Sequence, residues 1–142
     1  MTSRVYLAGP LFSQAEVLWG REVKRAIQEA LPGAVVIWPH ETASPEGIFA
    51  SNLGSLQGCD LMVAILDGPQ VDDGTAWEVG YHYALHGRPA IVGIRTDFRK
   101  AGETSTSRVN AMIEGACCGI AGDLEEMKSI LRSLSPIGPR EG

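Results

Sequence analysis

Short apolar runs recur along this chain, each followed by a stretch with helical spacing, and no other feature limits the fold as strongly. The runs cover residues 5–8, 35–38, 61–66 and 90–94, with a shorter one near 116–120. Several are apolar without interruption, the pattern of strands covered on both faces rather than on one. Between them, Ser13 opens a helix that places Trp19, Val23, Ala26, Ile27 and Ala30 on one face, and Pro32-Gly33 ends it. Ser44 as N-cap with Pro45 at the first helical position predicts a second helix through Ile48, Phe49, Leu53 and Leu56. A third opens at Thr75 and runs to Gly87, a left-handed C-cap with Pro89 just beyond. A last one runs from Asp123 to about Leu134. Strands alternating with helices mean an α/β fold with a parallel sheet covered on both sides. Right-handed crossovers then predict a doubly wound, flavodoxin/Rossmann-like sheet of five strands in the order 2-1-3-4-5. The 142 residues suit one domain, expected over 1–134, with 135–142 as a loose tail.

Composition narrows the partners. Twelve Lys and Arg against 17 Asp and Glu leave a net charge of −5, which argues against nucleic acid. No stretch approaches the roughly 20 apolar residues of a membrane span, and no signal sequence is evident. Three cysteines, Cys59, Cys117 and Cys118, cannot all pair, and two are adjacent. Free thiols in a reducing cytoplasm are the simplest reading. A small, neutral or weakly charged ligand is expected.

Residues 71–81 concentrate the chemistry, because Asp72 and Glu78 flank one helix N-terminus. In the order 2-1-3-4-5, Gly9-Pro10, the loop at 67–73 and the start of the Thr75 helix border the crevice where such sheets bind ligands. The spacing Thr75-x-x-Glu78 also has the form of a capping box, with the glutamate turned back on its own helix. Against that, Ala76, Val79, Gly80, Tyr83 and Ala84 form a face suited to lie on the sheet. Glu78 lies roughly 200° around from Ala76. Trp77, Tyr81 and Leu85 form a second apolar stripe beside it, which predicts a subunit contact.

Other chemistries lack their motifs. There is no G-x-G-x-x-G after the first strand and no G-x-x-x-x-G-K-[ST]. His82 and His86 have i, i+4 spacing but no third ligand, so they read as a wet surface pair, and no metal or cofactor is expected. Cys117-Cys118 reads as core filling. What remains is a carboxylate pair in different environments. Glu78, near a helix N-terminus, is suited to be an ionised nucleophile. Asp72, close to another carboxylate, is suited to a raised pKa and an acid's role. Retaining glycosyl transfer divides its labour in this way.

Four stretches, Tyr6-Leu-Ala-Gly-Pro-Leu-Phe12, residues 60–68, Asp72-Asp-Gly-Thr-Ala-Trp-Glu78-Val-Gly-Tyr81 and Val109-Asn-Ala-Met112, together resemble the nucleoside 2-deoxyribosyltransferase family. The resemblance spans roughly residues 5–134. It implies exchange of the base on a 2′-deoxynucleoside through a covalent deoxyribosyl-glutamyl intermediate on Glu78, with configuration retained. It further implies that Tyr6 orients Glu78, that Asp72 holds and protonates the leaving base, and that Gly9 and Phe12 line the base pocket. Asn110 and Met112 match a pair that a neighbouring subunit contributes, so a homo-oligomer, a dimer or a multiple of dimers, is implied. Asn52 stands where some members carry an Asp near the base. An amide can bond a base edge but cannot hand it a proton.

Two rival readings remain. The first is a related N-glycosidase of 2′-deoxynucleoside 5′-monophosphates, with Arg95, Arg99 and Arg108 of the polar loop at 95–108 as its phosphate site, though these also read as solvated arginines. The second is a non-catalytic nucleoside-binding module, since fold alone fixes no function.

Overall fold

In a computed structural model, which describes residues 3–134, β1 (Arg4–Ala8) is an inner strand whose two faces lie in the two halves of the core. Val5 and Leu7 point to one side of the sheet, Tyr6 and Ala8 to the other, and all four are fully buried. On the first side they meet Val23 and Ile27 of α1 (Gln14–Ala30) and Met127 and Leu131 of α6 (Leu124–Ser133). On the second side lie α3 (Ile48–Gln57), α4 (Asp73–His86) and α5 (Ala111–Ala116).

The remaining strands are β2 (Val35–Ile37), β3 (Leu61–Ile65), β4 (Ile91–Ile94) and β5 (Gly119–Ala121). The sheet is all parallel in the order β2-β1-β3-β4-β5, as the alternation of runs predicts. Pairing of Leu7 with Val63 and of Ala8 with Ala64 puts the ends of β1 and β3 side by side. The order reverses between these two strands, so a crevice opens beyond their carboxyl ends.

Four local expectations are corrected. Ser44 and Pro45 do not start a helix. They form a turn closed by the Gly47 N–H donating to the Ser44 carbonyl, and α3 begins at Ile48 after Gly47. Pro suits the second position of a turn as well as it suits the first position of a helix. Pro39, expected only to stop β2, opens a one-turn helix, α2 (Pro39–Thr42). The six-residue α5 went unrecognised, and β5 starts at Gly119, later than 116.

The fourth correction concerns α4, which starts at Asp73 because Asp72, not Thr75, is its N-cap. Its buried stripe is Thr75, Val79 and His82, at i, i+4 and i+7. Ala76 is half-buried, and Gly80, Tyr83 and Ala84, expected against the sheet, are exposed. His82 is not a wet residue: it is fully buried, and neither ring nitrogen has a hydrogen-bond partner among the described residues. Burial, then the neighbouring His86 ring at 4.5 Å, pushes its imidazole down to about 4. Cys59 and Cys117 are buried free thiols, as core filling requires, and Cys118 is half-buried. No described helix is long and apolar enough to cross a membrane. The tail expected at 135–142 lies outside the described residues.

Candidate active site

Tyr6 is fully buried on β1, and its hydroxyl donates to Oε2 of Glu78 on α4, 72 positions away in the chain. That bond decides between the two roles open to Glu78. The side chain reaches across to the sheet and is not turned back on Thr75. Glu78 sits in the second turn of α4, half-buried. Burial pushes its carboxyl up from 4.5 to about 7; the Tyr6 hydrogen bond opposes the rise and the nearby Asp72 adds to it. The helix dipole was expected to hold Glu78 as a ready anion, but removal from water dominates. Tyr6 is raised in turn, by burial first and then by the Glu78 charge.

The cap that Thr75 was expected to provide comes from Asp72. Its Oδ2 accepts from the Thr75 N–H at 3.0 Å and from the Thr75 hydroxyl at 3.0 Å. Oδ1 makes no hydrogen bond among the described residues, which leaves one carboxylate oxygen available to a ligand.

Other residues singled out in the sequence are placed as follows. Gly9 follows β1, and a Cβ there would lie 3.0 Å from Ile65 Cβ, so a larger residue would press this turn away from the end of β3. Phe12 is 82% exposed, not a core residue. Asn52 is half-buried on α3. Asn110 is the N-cap of α5: its Oδ1 accepts from the Met112 N–H at 2.9 Å and its Nδ2 donates to Glu103 at 2.6 Å. Met112 projects, 82% exposed. Tyr6, Glu78 and Asp72 are thus brought together within one chain, while Phe12 and Met112 have much of their apolar surface uncovered.

Two depressions border these elements. One, of about 280 Å³, lies between the turn after β1, the end of β3 and the loop after β4, with Pro10, Trp19, Asp67 and Arg99 in its wall. The other, of about 480 Å³, is an apolar groove between α4 and α5 lined by Ala76, Gly80, Tyr83, Met112 and Ile113. Beside Glu78, Trp77 stacks on Tyr81 at 5.3 Å and meets the edge of Phe49 at 5.7 Å. Trp77 and Phe49 are both exposed. Among the described residues no three His, Cys, Asp or Glu side chains cluster as a metal site.

The arginines expected to be solvated are not all so. Arg95 is 1% exposed and spans two carbonyls, and Arg108 donates to the carbonyls of Ile120 and Arg95. Arg99 pairs with Asp97 at 2.5 Å and stays open to solvent. Asp67 and Asp97, which the sequence reading passed over, gather the backbone of this loop. The available signal was a carboxylate placed directly after an apolar strand, where it meets the free N–H groups of a neighbouring loop.

Among solved structures, a conserved protein from Enterococcus faecalis V583 superposes with a TM-score of 0.76 at 24% identity, over 94% of this chain and 99% of that one. A 2-deoxyribosyltransferase from Leishmania mexicana gives 0.71 at 18% identity, over 94% and 99%. The 2-deoxyribosyltransferase from Bacillus psychrosaccharolyticus gives 0.70 at 21% identity, over 89% and 90%. Likeness at these identities establishes the fold. No curated protein matches the chain. A family model described as nucleoside 2-deoxyribosyltransferase matches residues 5–112, which is most of the chain and includes β1, the Asp72 loop and α4, and the protein therefore belongs to the nucleoside 2-deoxyribosyltransferase family.

Proposed function

We propose that the protein transfers the 2-deoxyribosyl group from one nucleobase to another through a covalent bond to Glu78. The observation that carries this reading is the Tyr6 hydroxyl bound to Oε2 of Glu78, which holds the carboxylate and leaves Oε1 without a partner among the described residues. Oε1 attacks C1′ of the sugar as the bond from C1′ to the base nitrogen breaks, and the electron pair leaves with the base. Asp72 holds the departing base and delivers the proton it takes up. A second base then attacks C1′ from the vacated side, gives its N–H proton to the Asp72 carboxylate, frees the Glu78 carboxylate and restores the original configuration. A carboxyl poised at about 7 is ionised in a large fraction of molecules at neutral pH and still basic enough to bond carbon.

Gly9, Phe12 and Asn52 would border the base. Asn110 and Met112 would complete the site of a neighbouring copy in a homo-oligomer, a role that suits the exposure of Met112 and of the aromatic group at Phe49 and Trp77. Buried free thiols at Cys59 and Cys117 suit a cytoplasmic enzyme of nucleoside salvage. Against a monophosphate hydrolase stand the loop arginines, since Arg95 and Arg108 are committed to carbonyls and Arg99 to Asp97.

The test is to incubate the protein with deoxyinosine plus adenine or cytosine, and separately with a deoxynucleoside monophosphate, and to follow products by chromatography. New deoxynucleoside that requires the added base supports transfer. Free deoxyribose phosphate would support the hydrolase. Unchanged exchange in a folded Glu78→Ala variant would remove Glu78 from the mechanism.

A further inference from the structure

Two loops leave the carboxyl edge of the sheet side by side. The first, residues 66–72, ends at Asp72, and the second, residues 95–110, ends at Asn110. Asp67 ties them together: its Oδ1 accepts the N–H groups of Thr96 at 2.6 Å and Asp97 at 2.8 Å, and its Oδ2 accepts the Thr96 hydroxyl at 3.0 Å. Asp97 returns the tie, accepting the Gly68 N–H at 3.2 Å. Arg95 closes the bracket from inside, donating to the Leu66 carbonyl at 2.5 Å and to the Arg99 carbonyl at 2.7 Å.

The bracket is costly for a surface feature. Arg95 is fully buried, its Nε has no partner among the described residues, and the nearest carboxylate oxygen recorded, on Asp97, lies 4.0 Å away. Burying a guanidinium so sparsely compensated works against stability, and neutral side chains could join two surface loops at less expense. What the bracket does hold is Asp72. Only Pro69, Gln70 and Val71 separate it from Gly68. Gly68 itself sits at φ +120, where a Cβ would press to 3.0 Å from the Gln70 carbonyl. Glu78 is held independently, by Tyr6 on β1.

We propose that Asp67, Asp97 and Arg95 are positioning residues for deoxyribosyl transfer, which fix Asp72 relative to Glu78 so that it meets the leaving base. The inference rests on the transfer reading given above. Loosening the bracket displaces Asp72 and spares the nucleophile, so the loss falls on donors whose base must be protonated as it leaves.

The experiment compares wild type, Asp67→Ala, Asp67→Asn and Asp97→Ala on two donors with adenine as acceptor, and reads the pre-steady-state release of the first base, which precedes any proton loss from adenine. Deoxyinosine needs a proton on its departing base. 7-Methyl-2′-deoxyinosine does not, because the electron pair of its C1′–N9 bond neutralises a ring that is already cationic. Asp67→Ala is expected to lose about 10- to 100-fold in the rate of base release from deoxyinosine, the scale of a misplacement near 1 Å, with little change in KM. On the methylated donor it should stay near wild type, and the acid limb of its pH profile should move little and only downward, because the Asp72 charge is the smallest of the causes acting on Glu78. Asp67→Asn should recover most of the loss, since an amide oxygen can accept both N–H groups and its NH₂ can donate to Thr96. Asp97→Ala, which removes a more accessible carboxylate, should show the same selectivity more weakly. Equal losses on both donors in folded variants, no loss at all, or failure of both alanine variants to fold would overturn the positioning role. Wild-type protein that exchanges base on neither donor would overturn the transfer reading first, and this inference with it.

Discussion

Replacing Glu78 with Gln should stabilise the protein above neutral pH while abolishing transfer. In the fold this carboxyl is pushed from 4.5 to about 7, chiefly by burial. The unfolded chain therefore releases the proton near 4.5 and the folded chain near 7, so between those values the folded form binds more protons. Linkage then fixes the sign: the group's contribution is fully present below 4.5 and is lost as pH rises through 7. At 1.36 kcal/mol per pH unit, keeping Glu78 ionised in the fold at pH 8 costs on the order of 3 kcal/mol. Gln has nearly the same shape, carries no charge to desolvate, and can still accept from Tyr6. The stronger hydrogen bond from Tyr6 to the carboxylate is already counted in that figure, and partial exposure of Glu78 to solvent trims the gain to about 1–3 kcal/mol. Urea unfolding followed by tryptophan fluorescence, at pH 5 and pH 8 and one protein concentration, measures it. Glu78→Gln should exceed wild type at pH 8, and the excess should shrink toward zero at pH 5. An excess of the same size at both pH values, or a variant less stable than wild type at pH 8, would refute the burial account.

Two further outcomes follow from the same contacts. Tyr6→Phe removes the hydrogen bond that opposes the rise of Glu78, so the acid limb of kcat/KM should move from about 7 upward by about one unit, read from pH–rate profiles of both proteins. His82→Leu should reduce acid sensitivity: His82 is pushed below its ordinary 6.5 to about 4, so wild type loses stability from this group as pH falls through that window, and the variant should not. Unfolding midpoints of the two proteins compared between pH 4 and 7 would show it.

Strand order was legible because it depends on features that repeat. Uninterrupted apolar runs, crossovers long enough to hold helices and the right-handed rule leave few topologies, and β2-β1-β3-β4-β5 is the expected one. Helix ends were less legible, because short polar residues serve several turns. Ser44-Pro45 fits a helix start and a β-turn equally well, and Asp72 and Thr75 can each cap α4. Asp72 wins because its carboxylate reaches both the N–H and the hydroxyl of Thr75. That choice adds two residues to the helix before Thr75. The same reading put Ala76, Gly80 and Tyr83 on the sheet, because the true buried stripe includes a threonine and a histidine that an apolar pattern does not count.

The relation between Tyr6 and Glu78, implied by the resemblance to the family, was out of reach of any local pattern, since it joins the third strand position of β1 to the second turn of α4. Sequence could nominate each residue, but not the sign of the pKa change between them. Proximity to a helix N-terminus argues for a lowered value, and burial against a sheet argues for a raised one. Burial wins here because Glu78 lies a full turn past the cap, where the dipole's effect has faded, and because its partner Tyr6 is closed off from solvent. A single neutral donor then has to hold the carboxylate without quenching it. A lysine or arginine in place of Tyr6 would pair with Glu78 and drive its pKa down, making it a weaker nucleophile toward carbon. A phenol lowers it only in part, so the carboxylate keeps the basicity that the proposed attack at C1′ requires.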